Sequence, residues 1–172
     1  DICISMRVVF TAATIGEWMP AFLSIDTLYT SESKRMKVIF HQGGVGLLAN
    51  AVSLIRLVYE EKPDLIVQVG IAGCFDHSAT LGNVFVVKEE ILGDQGVEED
   101  GKWKDIFDLK LEKPGYPPFE KKRLPNHFLQ KYNLLKLREV SAVTVNEIST
   151  RHERIQLITK KYEPFLESME GA

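Results

Sequence analysis

The sequence predicts an α/β fold in which helices cover a largely central sheet. Two observations carry that expectation. Short apolar runs of strand length alternate with segments whose apolar residues recur at helical spacing. Glycines stand where those strands end, at Gly43-Gly44-Val45-Gly46 and at Gly70-Ile71-Ala72-Gly73. At 172 residues the chain is long enough to bury a sizeable core, and no repeat or linker divides it, so one domain over 1–172 is expected.

Met6-Arg7-Val8-Val9-Phe10 reads as a buried strand, and Thr11 to Thr14 turns out of it. Glu17 to Leu28 reads as a helix, then Lys37 to Phe40 as a second strand. After Gly46, Leu47, Leu48, Ala51, Leu54, Ile55 and Val58 form an apolar helical stripe, which Lys62-Pro63-Asp64 stops. Leu65 to Val69 is a near-continuous apolar strand, of the kind found at the centre of a covered sheet. Val84 to Val87 is the next strand. Residues 93–126, rich in Gly and Pro, read as a long excursion with little regular structure. Val140 to Val145 is a strand and Ile148 to Tyr162 a helix, with Ser149 or Thr150 as N-cap.

Composition narrows the function classes. The net charge is −3, and the densest basic cluster is the three residues Lys121-Lys122-Arg123, so no nucleic-acid partner is expected. No apolar run approaches the ~18 residues that span a membrane, so no membrane partner is expected either. The two cysteines, Cys3 and Cys74, form no disulfide framework and fit a reducing compartment, with the cytoplasm as default. His41, His77, His127 and His152 are scattered without ligand spacing; neither a metal site nor a cofactor is expected.

Four segments could carry chemistry. Gln42-Gly43-Gly44-Val45-Gly46 allows close backbone approach before a helix, but its spacing fits neither a dinucleotide fingerprint nor a P-loop, and a tight turn accounts for it. Val69 to Gly73 puts small residues at the carboxyl end of a strand, where open α/β sheets bind ligands; a compact turn is the even alternative. Met169-Glu170 pairs a thioether with a carboxylate, a combination suited to packing on a sugar and accepting two neighbouring hydroxyls. A solvent-facing Glu at a strand end would read the same way. Glu17 is a candidate general base or simply an acidic residue in a first helical turn.

Taken in order, the Gly-Val-Gly helix, Lys62 to Gly73, Leu81 to Val87 and Glu167-Ser168-Met169-Glu170-Gly171-Ala172 resemble the purine nucleoside phosphorylase and nucleosidase superfamily. Asp94-Gln95-Gly96-Val97-Glu98, Phe107 to Leu111 and Thr144-Val145-Asn146 are most similar to futalosine hydrolases. The resemblance implies a three-layer α/β/α sandwich around a mixed sheet, a homo-oligomer, and a purine nucleoside as small-molecule partner. It implies that Glu170 binds the ribose hydroxyls, Met169 packs on the sugar, Ile71, Ala72 and Gly73 line the cleft, Asn146 and Ile148 flank the purine, and Glu17 activates water. Against the superfamily's pattern, the chain is expected to lack a last strand and helix, with the proton donor to the leaving purine.

One departure decides between reactions. The superfamily's phosphorylases carry a phosphate-binding arginine where this chain has Gln68, so water is the expected nucleophile. The expected reaction is hydrolysis of an N-glycosidic bond, of futalosine in menaquinone biosynthesis. Alternatives are a methylthioadenosine/adenosylhomocysteine nucleosidase, a phosphorylase, and an inactive nucleoside-binding fragment.

Overall fold

A computed structural model describes residues 6–28 and 36–172, the side chains of 25–28 excepted. The reading of the first five residues, Cys3 among them, lies outside the described residues. The chain forms two compact units, Asp1–Ile71 and Ala72–Ala172.

The first unit contains β1 (Met6–Ala12), α1 (Ile15–Leu28), β2 (Met36–Gln42), α2 (Leu47–Glu61) and β3 (Leu65–Gln68). All three strands are parallel, in the order β2-β1-β3, with Val8 opposite both Val38 and Leu65. β1 is therefore the central strand of the unit, not β3, and Val9 and Thr11 are fully buried on it. Trp18 and Phe22 of α1 pack on Phe40 of β2, with ring centroids 5.3 and 5.5 Å away, and Phe10 stacks on Phe40 from β1.

Helix α2 begins after Gly44 and Gly46, both at positive φ (89° and 85°), a conformation that glycine adopts without steric cost. Its end at Lys62, with φ 47°, comes where Lys62-Pro63-Asp64 predicts it. The buried face differs from the expected stripe. Asn50 and Leu57 are buried, whereas Leu48 and Ile55 are 78% and 71% exposed. The apolar residues of α2 surround more than one side of the helix, so periodicity alone does not choose the face. Asn50 does, by fitting against Gly43, where a side chain would collide with its amide oxygen.

The second unit contains β4 (Gly73–Cys74), β5 (Val86–Leu92), β6 (Gly96–Glu99), β7 (Lys102–Asp105), β8 (Leu124–Pro125), α3 (Leu129–Tyr132), β9 (Glu139–Thr144), α4 (His152–Tyr162) and β10 (Leu166–Ser168). Its five-stranded sheet runs β4-β10-β9-β5-β8. β5, β9 and β10 are parallel, and β4 and β8 are antiparallel to their neighbours. The mixed sheet and its helices fulfil the α/β expectation. β9 is buried on both faces. Val143 and Val145 pack with Ile91, Ile158 and Tyr162, while Val140 and Ala142 pack with Leu166 on the other side. Each fully buried valine contributes about 1.5–3 kcal/mol.

Three expectations change here. The strand expected at Val84–Val87 instead starts at Val86 and runs to Leu92. The excursion 93–126 is more ordered than its composition suggests, containing the β6–β7 hairpin and β8. Lys161 ties it to α4 by bonding Asp108 and lying 3.3 Å from Asp105, and within the excursion Lys122 bonds Asp108 at 2.9 Å. These two lysines hold the Asp108 carboxyl well below its ordinary range. Trp103 Nε1–H donates to the Tyr162 hydroxyl at 2.8 Å, another tie to α4. Helix α4 begins at His152, with Arg151 as N-cap and no side-chain cap bond, rather than at Ile148 with Ser149 or Thr150 as cap. Side chains elsewhere take the amides of the preceding loop, which keeps it out of the helix. Among the described residues no helix is long and apolar enough to cross a membrane.

Lys161 carries the tie between excursion and helix. Lys161→Met is expected to cost about 1–3 kcal/mol, the usual result of leaving a buried charged group short of a partner. The loss would appear in urea unfolding, with faster proteolysis between residues 106 and 122; an unchanged midpoint and cleavage rate would show that the pairs contribute nothing.

Candidate functional site

In the first unit the candidate chemistry lies at the start of α1. The Thr14 N–H and hydroxyl both donate to Glu17 Oε2, at 2.7 and 2.9 Å, the first of these being the carboxylate half of a capping box. The other oxygen, Oε1, accepts the Ile71 N–H at 3.2 Å. Gly70 leaves it room, since a Cβ there would lie 3.2 Å from Oε1. Glu17 is indeed an acidic residue of the first turn, and its contact with Thr14 uses one oxygen. The second is aimed at the segment after β3 and keeps lone-pair capacity for a further donor such as water. Gln68 ends β3 and is exposed.

His41 belongs to the same unit but is structurally satisfied. Nδ1 is 3.0 Å from Thr11 Oγ1 and Nε2 is 2.9 Å from Ser53 Oγ. Burial pushes its pKa below the ordinary value.

In the second unit the other candidates gather at one edge of the sheet. β5, β9 and β10 are parallel neighbours, so their carboxyl ends emerge together, and Leu92 and Ser168 both stand opposite Thr144. Carboxyl ends of parallel strands are where α/β sheets bind ligands. Met169 and Glu170, both half-buried, leave β10 there. Asn146 and Ile148 lie on the loop leaving β9, with Ile148 61% exposed. Ala72 and Gly73 open the unit, and Gly73 pairs with Glu167 of β10. Met169, Glu170, Asn146, Ile148, Ala72 and Gly73 therefore belong to one sheet end and its adjoining strand, while Ile71 and Glu17 belong to the first unit.

The residues that hold this edge were not among the candidate site residues, although Asp94 and Glu167 stand in segments that carry the resemblance. The Asp94 carboxylate, just past β5, accepts the backbone N–H groups of Asn146 and Glu147 and, at 3.3 Å, the Asn146 side-chain amide. Glu167 Oε1 accepts the Ser149 N–H at 2.9 Å. These two carboxylates shape the loop between β9 and α4. On the sheet face beneath, Glu90 is 7% exposed and accepts the Thr144 hydroxyl at 2.8 Å, while Thr144 itself is fully buried. Burial, opposed by the Thr144 bond, raises the Glu90 carboxyl from 4.5 to about 7. A Cβ on Gly171 would collide with Glu90 Oε1 and lie 2.5 Å from Cδ. The one sequence signal for Glu90 was an acidic pair, Glu89-Glu90, in a strand with Val86-Val87 before it and Ile91-Leu92 after it.

The sequence matches no family model. A 5′-methylthioadenosine/S-adenosylhomocysteine nucleosidase of Staphylococcus aureus is 36% identical over 58 residues, 34% of this chain and 25% of the relative's length. Among solved structures, a futalosine hydrolase mutant of Helicobacter pylori superposes with TM-score 0.73 at 11% identity, over 97% of this chain and 81% of that one. The Colwellia psychrerythraea 5′-methylthioadenosine/S-adenosylhomocysteine nucleosidase, in complex with adenine, superposes with TM-score 0.69 at 19% identity, over 97% and 74%. The fold is that of these nucleosidases.

The Glu90 geometry has a thermodynamic consequence. A folded-state pKa above the ordinary value means that the folded protein binds the proton more tightly than the unfolded chain. The associated stability is full below about pH 4.5 and is lost as pH rises through about 7. The loss amounts to about 3 kcal/mol. Glu90→Gln is expected to flatten that decline in denaturant midpoints measured from pH 5 to 8; parallel curves for variant and wild type would disprove it.

Proposed function

We propose that this chain is the nucleosidase-type part of an enzyme that hydrolyses the N-glycosidic bond of a purine nucleoside. The observation that carries the reading is Met169-Glu170 at the carboxyl end of β10, next to the β9 end with Asn146 and Ile148. The nucleosidase fold of the neighbours supports it.

Departure of the purine leaves an oxocarbenium-like sugar, as in other glycoside hydrolysis. In this reading Glu170 accepts the two ribose hydroxyls and Met169 packs on the apolar sugar face. Ile71, Ala72 and Gly73 line the cleft with small residues and main-chain groups. Asn146 and Ile148 flank the base, on a loop that Asp94 and Glu167 hold. Glu17 orients the attacking water. Its fixed carboxylate suits that task because no rotamer has to be frozen as the reaction proceeds. Gln68 supports water over phosphate, since an amide offers no charge to hold a phosphate dianion.

We take futalosine as the substrate, on the resemblance of Asp94 to Glu98 and Phe107 to Leu111 and on the likeness to futalosine hydrolase. The Staphylococcus aureus match favours methylthioadenosine as the second reading. Assembly of identical subunits in the cytoplasm goes with either.

Purine release from futalosine and methylthioadenosine, compared side by side with and without phosphate, tests all of this. Release without phosphate is expected; dependence on phosphate would replace the hydrolase by a phosphorylase. The preferred nucleoside identifies the substrate class. Glu170→Gln and Glu17→Gln are each expected to lower kcat/KM by about 10²-fold or more with the fold intact, and wild-type turnover in either would remove that residue from the site.

A further inference from the structure

Glu90 is an expensive residue to keep. Its face of the sheet carries Val140, Ala142 and Leu166, with the hydroxyls of Thr144 and Ser168 as the polar groups beside it. A buried carboxyl without a counter-charge is disfavoured, and an apolar residue of similar size is commonly neutral or stabilising in its place. Among the described residues Glu90 belongs to no ion pair. Among the described residues, the groups that strand pairing and close contact bring to it are uncharged: Ala142 and Thr144 from β9, Leu124 from β8, and Gly171 from the segment after β10. The charged groups next in line are Glu170, adjoining Gly171, and Glu89, which pairs with Arg123 at 2.8 Å.

What the carboxyl touches gives it a task. One oxygen is held by Thr144 and the other lies where a side chain on residue 171 would be. The Ser168 hydroxyl, on the same face, is buried with no hydrogen-bond partner, so it does not hold the segment. The backbone that carries Met169 and Glu170 leaves the sheet at Ser168, whose carbonyl accepts the Val145 N–H at 3.0 Å, and then packs on Glu90 at Gly171. We propose that Glu90 is a positioning residue of the sugar site: its carboxyl, braced by Thr144, props Gly171 and thereby sets where Met169 and Glu170 stand. Glu90 does not itself touch the sugar. This proposal rests on the nucleosidase reading above.

The test separates positioning from packing. In the full-length enzyme, Glu90→Leu is expected to melt at or above the wild-type temperature yet raise KM for methylthioadenosine or futalosine at least tenfold, with a smaller change in kcat. Glu90→Gln, which keeps the shape and the acceptor for Thr144, is expected to recover most of that loss. A Leu variant with wild-type KM, or a Gln variant as impaired as Leu, overturns the proposal. Should Glu90→Leu not fold, the pH dependence decides. Wild-type KM is expected to rise between pH 6 and 8 while that of Glu90→Gln stays level, and parallel profiles overturn it. Wild-type enzyme that releases purine while the variants behave alike defeats the Glu90 assignment alone; wild-type enzyme that releases none defeats the nucleosidase reading and this one with it.

Discussion

Parallel pairing of β5, β9 and β10 is the constraint on which the second unit depends. β9 is buried on both faces, so its register against its neighbours cannot slip without moving a whole set of valines out of the core. That register brings Leu92, Thr144 and Ser168 level. The three strands leave the sheet side by side, and beyond their ends stand Asp94, Asn146 and Met169-Glu170. The position of these candidate residues is thus set by apolar packing well away from them.

The same edge concentrates groups that packing alone would avoid. The buried Glu90 lacks a counter-charge, and Ser149 Oγ, Arg154 Nε, Glu167 Oε2 and Ser168 Oγ are buried without a hydrogen-bond partner. Buried polar groups in folded proteins are almost always satisfied. Local rules are broken chiefly where function requires it. The interior of β9, by contrast, obeys every rule of a buried parallel strand.

Strong periodicity and glycine turns made most elements legible. The strands around Val8, Val38, Leu65 and Val143 and both long helices could be read from their own residues. Which face of α2 is buried could not, because Leu48 and Ile55 are as apolar as Leu57, and the choice depends on Asn50 meeting Gly43. The start of α4 was not legible because Asp94 and Glu167, distant in sequence, take the loop's amides. The ordered excursion was hidden for a similar reason: Lys161 and Asp108 are far apart along the chain. The motif Met169-Glu170 was visible, but its support was not. Glu90 and Gly171 meet through the sheet, and no local spacing announces that contact.

If Glu170 binds a ribose diol, affinity must depend on that diol. Calorimetric titration with a non-hydrolysable purine nucleoside analogue and its 2′,3′-dideoxy counterpart measures this directly. Removing both hydroxyls is expected to weaken binding by about 10²–10³-fold, the loss incurred when a carboxylate covered by the ligand loses two donors. Equal affinity for the two analogues would contradict a sugar site at the end of β10.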